Sequence, residues 1–396
     1  MRTLEILQAA LDRSLEGRVH CRQRAAVWRA VAGLLGGGKL WLTALGRSLP
    51  GETTDKHRIK AVDRLLGNRA VHEQLPLFYR ALVAHLLRRT KTPIVLIDWT
   101  ALGPGHYALS AQVCFDGRAL PIYSRAWGKK LQGNRSKQHE FLRELATILP
   151  ANCIPVIVTD AGFRSPWFDA VRAMGWNFVG RIRNRTKAKF GNRWLYVRSL
   201  HASAGKRPKN LGWLSVGRVR PRSYRLVLAA KPILKGRSRL THCGTKGRRT
   251  QDRRSSSGAR EPWVLVTSLR CNAQSVVAIY RLRMQIEQTF RDAKNHRHGW
   301  SLRLVRSTST LRLEVLLLIA ALSMTVANAV GRAATHTGLH RSFQANTIRT
   351  RRVLSFFVLG LYVLKNRCAS LAPAAVDRAW NDLSRVIALN AAQIAR

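Results

Sequence analysis

Only 20 Asp and Glu residues serve this chain of 396, and two of them follow uninterrupted apolar runs. PIVLID spans 93–98 and PVIVTD spans 155–160. Short apolar runs bounded by turn signals read as strands buried on both faces. Such strands belong to sheets covered by helices. An acid is seldom buried unless it is paired or holds a metal. These two runs therefore predict an α/β architecture, with Asp98 and Asp160 at the C-terminal ends of adjacent strands and pointing into one crevice. Two carboxylates that close repel each other unless a cation lies between them. Hard divalent cations prefer oxygen ligands. Asp160 also has a plainer reading, as a cap on the turn TDAGF.

The pattern along the chain supports this layering. Residues 1–90 read as a helical N-terminal region, with helical apolar spacing in LEILQAALDRSL and FYRALVAHLLRRT and breaks at Gly36-Gly37-Gly38 and Leu49-Pro50-Gly51. From Thr92 the pattern changes to strands. HYALSAQVCF and RALPIYSRAW are joined by Asp116-Gly117, a strong hairpin signal. HEFLRELATIL reads as a helix, PVIVTD as a strand, PWFDAVRAMG as a helix and WNFVGRIR as a strand. Residues 91–184 thus form the first part of a core. Residues 185–270 interrupt it with further strands in RWLYVRSL, GWLSVGRV, SYRLVLAAK and PWVLVTSL. Within them, 235–260 carries nine Lys/Arg against one acid and is expected to be flexible without a polyanion. Residues 271–330 resume the core in helical form, and 331–396 read as a helical C-terminal region. The run 315–330, sixteen residues with Ser, Thr and Asn inside, falls short of the ~20 that span a bilayer and is expected to be a buried core helix.

Charge narrows the partners. The chain holds 69 Lys+Arg, for a formal net charge of +49. The basic residues run throughout, which favours a broad nucleic-acid-binding surface over a localisation tag. KHRIKAVDRLLGNRAVH (56–72) has a basic side and an apolar side. It fits a helix laid on DNA, or a solvated surface helix. Six cysteines without a CxxC pair argue against a zinc site or a disulfide framework and for a reduced, cytoplasmic setting. The N-terminus lacks the apolar core of a signal peptide. No membrane or small-molecule substrate is expected.

A third acid lies in YRLRMQIEQTFRDAK (280–294). At about 100° per residue, Tyr280, Arg283, Glu287 and Lys294 fall within an arc of roughly 60°. Leu282, Ile286, Phe290 and Ala293 form the neighbouring apolar stripe. One helix edge thus offers a carboxylate, a phenol and two cations, and Arg and Lys there suit phosphates. The alternative is an intrahelical Arg283–Glu287 salt bridge.

Tyr280, Arg283, Glu287 and Lys294, spaced Y-x2-R-x3-E-x6-K, resemble the signature of insertion-sequence-four-type transposases, members of the DDE superfamily. IDWT around Asp98 and TDAGF around Asp160 resemble that family's first and second acidic motifs. The resemblance spans roughly residues 56–300. It implies a ribonuclease-H-like mixed sheet flanked by helices, with an inserted antiparallel β subdomain between the second Asp and the Glu. It also implies a catalytic, metal-binding triad of Asp98, Asp160 and Glu287 holding two Mg²⁺ ions, with Mn²⁺ able to substitute. In such two-ion sites one ion activates the attacking oxygen and the other stabilises the leaving oxygen, Asp98 bridging the two. Arg283, Arg291, Lys294 and Tyr280 are implied to contact DNA. Related transposases stack a Trp at the start of the insertion's last strand on a flipped base. Trp263 in PWVLVTS occupies that position, and a core role fits it equally well. The implied partners are double-stranded DNA (terminal inverted repeats and target) and a second copy of the chain on paired ends, in a nucleoid-associated, cytoplasmic setting. The implied reaction is cut-and-paste transposition through a hairpin. A nuclease that cuts without joining, or a DNA-binding derivative without catalysis, remain the alternatives.

Overall fold

The computed structural model describes residues 2–183, 186–230, 261–345, 347–348, 350–366 and 371–392. The basic stretch 235–260 lies outside the described residues. Two compact units emerge. The first runs from the N-terminus to Val156 and resumes at Leu282; the second covers Ile157–Arg281. The described residues include ten strands, and the chain is of α/β class.

The first unit opens with five helices: α1 (Arg2–Leu15), α2 (Cys21–Leu35), α3 (Leu42–Arg47), α4 (Asp55–Gly67) and α5 (Arg69–Leu87). Three antiparallel strands follow: β1 (Ile94–Ala101), β2 (His106–Cys114) and β3 (Ala119–Gly128). Asp98 pairs with Ser110 across β1 and β2, and Cys114 with Ala119 across β2 and β3. The Asp116-Gly117 hairpin forms as expected. Its turn requires a positive φ only at Gly117, at 70°. The helix α6 (Arg135–Ile148) then leads to β4 (Val156–Thr159). Ile154 N donates to Lys91 O at 2.7 Å and Val156 N to Pro93 O at 2.9 Å. Equal two-residue steps in the same direction mean that the chain enters β4 parallel to its entry into β1. The sheet is therefore mixed.

After the second unit, the first is completed by α9 (Met284–Lys294), α10 (Thr310–His336), α11 (Phe356–Lys365) and α12 (Pro373–Ala392). The apolar run at 315–330 is part of a 27-residue helix, and its residues 315–319 and 321–330 are all buried. This corrects the expected length: α10 is long and apolar enough to cross a membrane, yet almost all of its most apolar window is covered by the protein itself. Two glycines permit its close crossing with α11. A Cβ at Gly360 would lie 1.9 Å from Ala327 O, and one at Gly331 1.9 Å from Phe356 O.

The second unit holds the rest of β4, α7 (Ser165–Ala173), β5 (Asn177–Ile182), β6 (Lys187–Phe190), β7 (Arg193–Tyr196), β8 (Lys209–Val216), β9 (Arg222–Ala229), β10 (Trp263–Thr267) and α8 (Ala273–Leu282). From β5 the strand order is β5-β10-β9-β8-β6-β7, and each neighbouring pair in it is antiparallel. Phe168 of α7 stacks on Phe178 of β5 at 4.9 Å between ring centroids. The insertion departs from expectation in two places. Lys187–Phe190 is an additional strand, and RWLYVRSL is a strand only to Tyr196 before a 3-10 turn takes over.

Candidate active site

Asp98 is the fifth of the eight residues of β1, not its last. The strand continues through Trp99-Thr100-Ala101 because each still has a partner on β2. Burial ends earlier than pairing: Ile94–Ile97 are buried, whereas Asp98 and Trp99 are half-buried. The carboxylate thus emerges where the apolar cover stops. Its Oδ1 accepts the N–H of Trp99 at 2.8 Å, and its Oδ2 lies 3.7 Å from Nη1 of Arg283.

Glu287 reaches the same guanidinium from α9. Its Oε1 is 2.6 Å from Nη2 of Arg283, so the intrahelical pair foreseen from the i,i+4 spacing is present. Two carboxylates, distant in sequence and carried by a strand and a helix, therefore share one arginine. Side-chain exposures of 19% for Asp98, 14% for Arg283 and 39% for Glu287 describe a site sheltered beneath and open above Glu287.

The helix is held in place by polar contacts that sequence reasoning missed. Gln285 Oε1 accepts from Phe115 N at 3.1 Å. Thr289 Oγ1 accepts from Ala119 N at 2.8 Å. Asp292 Oδ2 accepts from Nε of Arg118 at 2.6 Å. Positions 285, 289 and 292 lie on one helix face, and all three grip the β2–β3 turn. The available signal was a polar i, i+4, i+7 series beside the apolar stripe. Of that stripe, Ile286 and Ala293 are buried while Leu282 and Phe290 are half-buried.

Lys294 and Arg291 end the same helix. Lys294 is half-buried with Nζ 5.6 Å from the Phe290 ring centroid. Burial, joined by the nearby Arg303 charge and opposed by Asp98, pulls its ammonium down to about 8. Arg291 is exposed.

One expectation about geometry is corrected. The stretch 280–294 is not one helix. It is divided at Arg283 into α8 and α9, with Arg283 itself keeping a helical backbone (φ −51°, ψ −30°). Tyr280 belongs to the second unit, where it is buried and meets Trp263 edge-on at 4.9 Å. Trp263 is itself only 7% exposed. It opens β10 opposite Ala229, so it occupies a core position.

Asp160 follows β4 directly, and its Oδ1 accepts the N–H of Gly162 at 2.8 Å. The turn-capping role is therefore present. Among the described residues, no three His, Cys, Asp or Glu side chains are placed together to hold a metal ion. The donor chemistry of Asp98 and Glu287 nonetheless suits a hard cation, since both offer carboxylate oxygens around a single positive charge.

Compared with known protein families, residues 89–324 match the family described as transposase DDE domain. A search of curated proteins returns no match.

Proposed function

We propose that this chain, a member of the transposase DDE domain family, cleaves DNA at the ends of a mobile element and joins the freed strand to target DNA, using Asp98, Asp160 and Glu287. The observation that carries this reading is the convergence of Asp98 and Glu287 on Arg283. Sequence-distant acids held together around one cation are what positioning for phosphoryl chemistry requires. Asp160 is assigned as the third member by the likeness of TDAGF to the second acidic motif of such transposases.

Divalent ions, Mg²⁺ or Mn²⁺, held by these carboxylates would supply activation of the attacking oxygen and neutralisation of the leaving oxygen. Arg283 offsets the mutual repulsion of the two acids and can turn its guanidinium toward a phosphate. Lys294 and Arg291, at the end of the same helix, hold the DNA backbone on the exposed side of Glu287. The α1–α5 region adds sequence-independent affinity through its lysines and arginines, and a second copy of the chain binds the other end. A hairpin route would place a flipped base on Trp263, and that requires the ring to leave its contact with Tyr280.

The test is a strand-transfer assay on DNA carrying the element's ends. Wild-type protein is expected to give cleaved and joined products with Mg²⁺ and neither in EDTA. Cleavage without any joined product would reduce the function to that of a nuclease. Activity that survives Asp98→Asn, Asp160→Asn or Glu287→Gln would overturn the site assignment.

A further inference from the structure

The strand-rich insertion carries an outer surface that the triad leaves unused. Between residues 186 and 230 there are eleven Lys/Arg and no Asp or Glu. The last three strands in the order are β8, β6 and β7, and their register sorts the side chains by face. Ala188 of β6 pairs with Val216 on one side and Leu195 on the other. Ala188 and Val216 are fully buried, so that face looks inward at β6 and β8, while Leu195 on the edge strand β7 is 39% exposed. Alternation along each strand puts Trp213 and Ser215 of β8, Lys187 and Lys189 of β6, and Trp194 and Tyr196 of β7 on the opposite face. Lys187 pairs with Tyr196 and Lys189 with Trp194. A lysine strand thus runs between two strands bearing aromatic rings.

Two of those side chains reach solvent. Trp213 is 50% exposed and Tyr196 40%. Lys187 Nζ sits 4.7 Å and Arg198 Cζ 5.5 Å from the Tyr196 ring centroid, so the ring and two cations form one unit. Large aromatics left in solvent mark a surface meant to be covered. Cations interleaved with them, without a single acid in the segment, select a polyanion that also carries flat apolar groups. Nucleic acid with unpaired bases has both. Duplex DNA offers phosphates but keeps its base faces stacked.

Resting on the reading of this chain as a DNA-processing enzyme, we propose that the β8-β6-β7 face binds unpaired nucleotides. Trp213 and Tyr196 stack on bases, while Lys187 and Lys189 hold the intervening phosphates. Base stacking on an exposed aromatic contributes about 1–3 kcal/mol per base irrespective of sequence. The surface therefore favours strands opened during cleavage and joining over intact duplex. It is distinct from the Trp263 position, whose ring is buried.

The test uses the full chain and fluorescence anisotropy with two probes of equal length, a single-stranded oligothymidine and a blunt duplex. The Trp213→Ala/Tyr196→Ala variant is expected to lose about tenfold or more in affinity for the single strand, with duplex affinity changed less than about threefold. Trp213→Phe/Tyr196→Phe should restore single-strand binding, which a fold defect would not allow. If the alanine variant binds the single strand as tightly as wild type, the platform is overturned and the DNA-processing reading stands. Equal loss on both probes, or a change of oligomeric mass with unchanged DNA binding, also overturns it. If wild-type protein binds neither probe, the DNA-processing reading falls and the platform falls with it.

Discussion

The first unit contains two clusters built from the same parts, each with acids gathered around one arginine. Arg125 of β3 meets Glu314 at 2.7 Å, Glu140 at 3.7 Å and also Glu144. Arg283 meets Glu287 and Asp98. The Arg125 cluster is the more fully hydrogen-bonded, although Arg125, Glu140 and Glu144 keep side-chain exposures of 27%, 28% and 31%. Glu314 is 5% exposed and also accepts the backbone N–H of Ala126 at 3.1 Å, and Tyr123 donates to Glu144 at 2.7 Å. The Arg283 cluster is loose on one side and open on the other, with a 3.7 Å contact to Asp98 and an exposed edge on Glu287. On the proposed function, the difference separates an ion cluster that holds a fold from one whose carboxylates can turn from Arg283 to another cation. Saturation with hydrogen bonds makes a buried pair costly to break, whereas a site for chemistry must release its partners when substrate arrives.

The sharpest way to break this comparison is substitution in the open cluster. Asp98→Asn or Glu287→Gln should lower DNA cleavage on the order of a thousandfold or more, measured as initial rate on end-bearing DNA, while the urea midpoint stays near that of wild type. A large stability loss with little rate loss would make the two clusters equivalent. In the Arg125 cluster the effects should reverse. Arg125→Met leaves Glu314 uncompensated and should cost about 3–5 kcal/mol of stability by urea unfolding, with the cleavage rate per folded molecule retained.

A smaller effect concerns Lys294. Its ammonium, pulled down to about 8, is charged below that pH and progressively neutral above it, whereas bound phosphate favours the charged form. Duplex affinity should therefore weaken as pH rises through 8, by at most about tenfold per unit for a single proton. Lys294→Arg, charged throughout, should flatten the profile in anisotropy titrations. An unchanged pH profile would remove Lys294 from the DNA contacts.

The smallest effect belongs to Glu314. Burial raises its pKa despite the opposing pull of Arg125. The folded state then holds a proton that the unfolded state has already released. The contribution of Glu314 to stability is fully present below the ordinary glutamate range and is lost as pH rises from there through the raised folded value. Glu314→Gln should reduce that slope in urea midpoints measured across the acidic range. A steeper slope would show that another group sets it.

The sequence alone went far toward the fold because its strongest signals are local. Apolar runs, Asp116-Gly117 and helical spacing fix elements by the chemistry of near neighbours, and those elements stand in the structure. The strands Ile94–Ala101 and Val156–Thr159 and the 27-residue helix Thr310–His336 all grew from such runs. Residue types and spacing also picked out Asp98 and Glu287, which the structure brings to one guanidinium. The same rule of an acid set against an apolar run applies to Glu314 in RLEVLLL, where it marks an ion cluster with Arg125. Only tertiary structure could say that Glu314 has Arg125 and the Ala126 N–H as partners, that the helix divides at Arg283, that Tyr280 and Trp263 turn inward together, and that Gln285, Thr289 and Asp292 grip the β2–β3 turn. Periodicity gives the direction in which a side chain leaves its own element. What waits there belongs to another part of the chain, and that meeting decides whether a buried acid is sealed or left free to work.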